Sequence, residues 1–206
     1  MGGKIITGTE DIFMKTRIET ERLLIRNFEA KDAEGLFAYL AHPRVNCFID
    51  ERLGTMEEAL ADVERRSKEG LQYAVCLKEE DSIIGNLFAA KEEPDTYSVG
   101  WNFNEQYEGK GYASEAARAF FNFLFTKMDA RRIYAYVEDD NIRSQKLCER
   151  LDMRKESHFI EFISFIKNPD GTPKYENTFV YAILKKDWEL SRKINIRLPS
   201  KHYSNP

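Results

Sequence analysis

Apolar and polar positions along the chain fall into two rhythms. In Tyr97-Ser98-Val99-Gly100-Trp101-Asn102-Phe103-Asn104 the odd positions are apolar or aromatic and the even ones small or polar. That period of two predicts a strand with one buried face. Residues 19–26, 72–77 and 83–88 read as further strands, the last two joined by a polar turn at 78–82. Residues 132–137 carry bulk on both faces, as a central strand does, and 157–166 read as a long strand with bulk on both faces. Asn168-Pro169-Asp170-Gly171-Thr172-Pro173 is a turn signal, and residues 178–184 return as a hairpin partner.

The second rhythm is helical. Ala33, Leu36, Phe37 and Leu40 mark a short helix that His42-Pro43 stops. Thr55-Met56-Glu57-Glu58 looks like a capping box. Ala59, Leu60 and Val63 give the helix behind it an apolar side. In residues 114–128 the polar side chains Glu115, Arg118, Asn122 and Thr126 share a narrow stripe, so this helix is mostly buried. Asn141 caps a last helix whose buried side holds Leu147 and Leu151. Three antiparallel strands thus precede a strand–helix–strand crossover, and the crossover requires parallel strands. Residues 1–16 read as a loose lead, 17–188 as one domain and 189–206 as a polar tail.

Between the strand at 97–104 and the buried helix stands Gln106-Tyr107-Glu108-Gly109-Lys110-Gly111-Tyr112-Ala113. Its two glycines free the backbone and keep side chains out of the way. The first helical amides follow, with the positive end of the helix dipole behind them. An anion is expected there, a phosphate above all. The spacing fails a P-loop, and Ser114 fails the third position of a dinucleotide fingerprint. A turn that only redirects the chain is the bland alternative.

The block Gln-x-x-Gly-x-Gly-x-Ala resembles the pyrophosphate-binding motif of the GNAT N-acetyltransferase superfamily. Thr20-Glu21-Arg22-Leu23 and the pair Asn141-x-x-Ser144 resemble its ribosomal-protein (Rim-type) branch. Asp152-Met153 stands where that branch has Gly-Phe. The resemblance covers about residues 18–188. It implies an α/β acyl-CoA N-acyltransferase fold: a mixed, mostly antiparallel sheet of about seven strands, with helices on both faces. A central parallel pair would splay at the cofactor site. It implies acetyl-CoA as co-substrate, with contacts at Asn102, Phe103, Asn104, Gln106, Glu108, Gly109, Lys110, Gly111, Tyr112, Ala113, Asn141 and Ser144. The link at 45–53 would border the acceptor pocket.

The 206 residues carry 42% apolar side chains and a net charge of −4. That suits a cationic acceptor such as an amine and argues against nucleic acid. Cys47, Cys76 and Cys148 are scattered, which predicts neither a disulfide framework nor a metal site. No apolar run approaches the roughly 20 residues of a membrane span. With no apolar leader at the start, the expectation is a cytoplasmic protein; a homodimer is left open.

The implied reaction moves an acetyl group to a primary amine, of a protein N-terminus or a small molecule, by direct attack. An alkylammonium, with a pKa of about 10, must first lose a proton. Ser144 is the candidate catalytic donor to the thioester sulfur; capping the helix is its plain alternative. For the base, Glu161 is assigned by family analogy, with Glu138 as the second candidate and a chain of waters as the third. His158, Tyr175 and Tyr181 read as structural. A sensor or docking protein that binds acyl-CoA without turnover is the rival reading.

Overall fold

The computed structural model describes residues 16–197. The lead at 1–15 and the tail beyond 197 lie outside the described residues. Eight strands form one sheet in the order β1-β2-β3-β4-β5-β6-β8-β7. They are β1 (Arg17–Glu19), β2 (Leu23–Arg26), β3 (Gln72–Leu77), β4 (Ser82–Glu92), β5 (Thr96–Phe103), β6 (Arg132–Glu138), β7 (Arg154–Lys167) and β8 (Pro173–Leu184). Five α-helices accompany them: α1 (Ala33–Leu40), α2 (Met56–Glu69), α3 (Tyr112–Thr126), α4 (Ile142–Arg150) and α5 (Lys185–Arg197).

Every pairing is antiparallel except β5 with β6. That parallel register runs only from Thr96↔Arg132 to Ser98↔Tyr134. Beyond it, β5 stays with β4 as far as Phe103, and β6 stays with β8 as far as Glu138. The sheet therefore opens between two strands that each keep their outer partner. The expected splay is present.

Strand alternation sorts side chains onto two faces. Leu23, Ile25, Tyr73, Val75, Tyr97, Val99 and Ile133 pack under α3, whose Phe120, Phe121, Leu124 and Phe125 are almost fully buried. Leu24, Ala74, Cys76 and Ile83 face the other way, onto Leu36, Leu40, Ala59 and Val63 of α1 and α2. The α3 stripe reads as the sequence predicts, with Arg118 and Thr126 exposed.

Several expectations are corrected. The strand foreseen at 19–26 is two strands. Thr20 turns the chain, its N–H donating to the Leu23 carbonyl at 2.9 Å and its hydroxyl accepting from the Leu23 amide at 2.8 Å. Leu60 is 48% exposed, because only Ala59 and Val63 face the core. The strand read at 157–166 is β7, a mostly exposed sheet edge. On β6, Tyr136 is half exposed and its neighbour Val137 buried, so only one face is fully covered. Tyr175 is exposed, while Tyr181 is core. Residues 185–197 are helix, anchored by Trp188 against the rings of Phe121 and Phe125. The Asp152-Met153 departure keeps the turn. Asp152 takes φ +61°, which the branch's glycine adopts freely and a short polar side chain tolerates, and Met153 is buried.

Thr55 caps α2, accepting from the Glu58 amide at 3.2 Å. Glu58 reaches Gly54 instead of closing the box on Thr55. Between α1 and α2 runs a 3₁₀ segment, Asn46–Glu51. It is tied to α2 by Arg66, a fully buried guanidinium 2.6 Å from both Glu51 and Asp62. Arg66→Ala removes a fully buried side chain with its bonds to Glu51 and Asp62 and hollows the core, while Asp62 keeps Arg65. It is expected to cost about 2–5 kcal/mol in denaturant unfolding.

Candidate active site

The glycine turn sits where the sheet opens. Asn104 caps a short 3₁₀ turn, Glu105–Tyr107, by accepting from the Gln106 amide at 3.0 Å. Gly109 and Gly111 follow with φ +78° and +81°. A Cβ built at Gly109 would touch nothing within 4 Å, so the turn presents bare backbone to open space. Gly111 is the N-cap of α3 and supplies no side chain, leaving the helix start uncapped.

The turn is braced from behind by the link between β1 and β2. Arg22 donates to the Lys110 carbonyl at 3.0 Å and to Glu115 of α3 at 2.7 Å. Thr20 donates its hydroxyl to Glu115 at 2.6 Å. Burial alone would raise the Glu115 pKa, but the bonds from Thr20 and Arg22 outweigh it and hold the carboxyl below its usual range. This gives the Thr20-Glu21-Arg22-Leu23 run its physical role: it locks the orientation of the turn and of the helix dipole.

The backbone of β5 turns alternate residues toward opposite neighbours. The Asn104 amide donates to the Ile84 carbonyl at 2.9 Å. Asn102 shares its phase, so the main chain of Asn102 and Asn104 is committed to β4. Trp101 and Phe103 are the residues whose amides and carbonyls face the gap. A strand-like ligand entering the opening meets these two first.

One cavity of about 600 Å³ collects most of the residues expected at the site. Asn102, Phe103 and Asn104 border it from β5; Glu108, Gly109, Gly111, Tyr112 and Ala113 from the turn; Asn141 and Ser144 from α4. Gln106 and Lys110 do not border it. Lys110 lies over the Tyr107 ring, with its ammonium 5.4 Å from the centroid. Val45 and Phe48 bring the link between α1 and α2 to the wall, as expected of that segment.

Glu161 is not among the lining residues. It is exposed at a bulge of β7, with φ +49° and its amide bound to the Asn177 side chain at 2.9 Å. Glu138 does not line the cavity either, but it is buried. It ends β6 at the open gap and is 8% exposed. Burial raises its pKa above 4.5, although the Cys47 thiol and the Asn141 side chain favour the charged form. The Cys47 thiol is pushed up in turn by burial and by Glu138. His158 sits 3.4 Å from Asp139 and stacks near Phe179.

Four basic residues at the wall escaped the sequence reading: Arg44, Arg143, Lys146 and Arg150. The last three recur at helical spacing on α4, a signal that was present in the sequence. Glu108 bridges two of them, at 2.8 Å from Arg44 and 2.5 Å from Arg143. These bonds hold its carboxyl below the usual range, with Arg44 the first cause and Arg143 the second. Trp101 was also missed as a site residue; its indole donates to the Ser144 hydroxyl at 3.1 Å.

A bare helix start and a gap in a mixed sheet thus share one cavity whose wall carries four basic side chains. Residues 22–154 match the family model described as the acetyltransferase (GNAT) domain. The chain belongs to the GNAT acetyltransferase family. It is 36% identical to the uncharacterized N-acetyltransferase YnaD of Bacillus subtilis (strain 168) over 173 residues, 83% of this chain and 98% of that protein. A GNAT-family acetyltransferase of Bacillus anthracis superposes with a TM-score of 0.73 at 34% identity, over 83% of this chain and 99% of its own. A putative ribosomal-protein-serine acetyltransferase from Vibrio cholerae shares the fold, with a TM-score of 0.67 at 18% identity, over 82% of this chain and 97% of its own.

Proposed function

We propose that the protein moves an acetyl group from acetyl-CoA to a primary amine by direct attack. The carrying observation is that the uncapped start of α3, the glycine turn and the open β5–β6 gap share one cavity. The turn amides hold the diphosphate, with Arg143, Lys146 and Arg150 of α4 beside them. The gap-facing backbone of Trp101 and Phe103 holds the pantetheine arm. The thioester supplies an activated acyl carbon. Orientation in the gap contributes most of the acceleration.

Glu138 is the better base. It is buried at the strand end with a raised pKa, next to Asn141 of the cavity wall, whereas Glu161 is exposed at a bulge. The Rim-type assignment rests on the Thr20-Glu21-Arg22-Leu23 brace and the Asn141-x-x-Ser144 pair; the likeness to the Vibrio protein supports the fold alone. A protein N-terminus and a small amine are both accommodated by this reading.

Thiol release from acetyl-CoA over a panel of amines and N-terminal peptides tests the proposal. Release with at least one acceptor is expected; tight binding with no release from any acceptor favours the sensor. A second expectation concerns Glu108, whose negative charge sits in the diphosphate seat. Glu108→Gln frees Arg44 and Arg143 and removes that repulsion. Acetyl-CoA binding should tighten about two- to fivefold by calorimetry at low salt, and less at high salt.

A further inference from the structure

Ser144 is the third residue of α4, and its backbone amide donates to the Asn141 side chain at 3.1 Å. A serine hydroxyl offers one hydrogen and two acceptor sites. Near a helix start its ordinary habit is to satisfy neighbouring backbone, which would leave nothing for a ligand. Here that habit is broken. The Trp101 indole, a donor only, places its N–H 3.1 Å from Ser144 Oγ. The oxygen must accept. Among the described residues, the Ser144 hydroxyl donates to none. Its hydrogen is therefore left for the cavity, which both residues border.

The contact also crosses the opening. Trp101 stands on β5 and Ser144 on α4, which follows β6, so the indole fixes the hydroxyl relative to the gap. An accepted hydrogen bond polarises the O–H and strengthens what it donates.

Building on the proposed reaction, we propose that Trp101 is a positioning residue. Its indole N–H holds Ser144 as an obligate donor toward the coenzyme A sulfur and so stabilises the departing thiolate. When the C–S bond breaks, its electron pair stays on sulfur, and Ser144 donates a hydrogen bond to that sulfur without giving up its proton. The thiolate takes a proton from solvent on release.

The test needs no turnover. A donor aimed at sulfur favours bound thiolate over bound thiol, so the bound thiol titrates below its free value of about 8.5. Affinity for coenzyme A should then rise with pH through that range. Acetyl-CoA, which has no thiol, controls for every other titrating group. Calorimetry from pH 7 to 9.5 should show coenzyme A gaining about tenfold over acetyl-CoA in the wild type, one unit of thiol shift. In Ser144→Ala the gain should vanish. In Trp101→Phe, which keeps an aromatic ring and loses the N–H, it should fall to about threefold or less. The double variant should match Ser144→Ala, because Trp101 acts only through Ser144. Each variant's coenzyme A affinity is read against its own acetyl-CoA affinity, so a pH-independent loss of packing cancels and the pH-dependent ratio reports positioning.

A flat wild-type profile overturns the proposal, as does a Trp101→Phe profile equal to wild type. Failure of both ligands to bind sinks the acetyl-CoA reading itself. Binding without pH dependence sinks the Ser144 donor and the role of Trp101 together and leaves the acetyl-CoA reading standing.

Discussion

Gly111→Glu should abolish acetyl-CoA binding and leave a folded protein. Gly111 has φ +81°, where a side chain costs about 1–3 kcal/mol. The nearest atom to a Cβ there is the Arg22 guanidinium at 3.5 Å, an ordinary contact. The new side chain therefore fits sterically, and the fold loses only the backbone strain. Binding loses far more. A carboxylate then stands at the mouth of the α3 start, where the amides and dipole otherwise face an anion. It competes for those donors and repels a diphosphate. A fall in affinity of about 100-fold or more, equal to about 3 kcal/mol, is the expected result. Thermal shift reads it directly: acetyl-CoA should raise the melting midpoint of the wild type and leave the variant unmoved. A variant that still binds would show that the diphosphate is seated elsewhere.

Glu138→Gln carries the second large effect. A positioned base contributes about 10²–10⁴-fold, and the substitution keeps size while removing the proton acceptor. kcat should fall by about 100-fold or more, with the acetyl-CoA affinity held. The sign of the pH dependence follows from burial. The carboxyl binds its proton more tightly folded than unfolded, so its pKa lies above 4.5. The base works deprotonated. The wild-type rate should therefore drop as pH falls through the raised value, and the variant should lack that acid limb. Stability moves the other way. The increment from this group is present below about 4.5 and is lost as pH rises through the shifted value. A parallel Glu161→Gln variant should retain wild-type rates; if it alone loses activity, the base is on β7 after all.

Much of the site was legible because its signals are local. The glycine turn, the strand before it and the buried helix behind it lie within about 30 consecutive residues, and their periods are short-range properties of the chain. Asn141 and Ser144 were legible for the same reason, as a cap and its third helical residue. The base was not. Glu161 and Glu138 are similar residues on strands of similar pattern. Only the bulge that exposes one, and the strand end that buries the other beside Cys47, separates them.

The chain by itself determined a mixed sheet with a strand–helix–strand crossover and a glycine turn at a helix start, because hydrophobic period and backbone freedom are written residue by residue. The tertiary structure alone decided which distant groups meet there. Arg22 behind the turn, Arg44 across from Arg143, and Trp101 against Ser144 are contacts between segments 40 to 100 positions apart. Such contacts depend on the order of strands in the sheet, which no local pattern encodes.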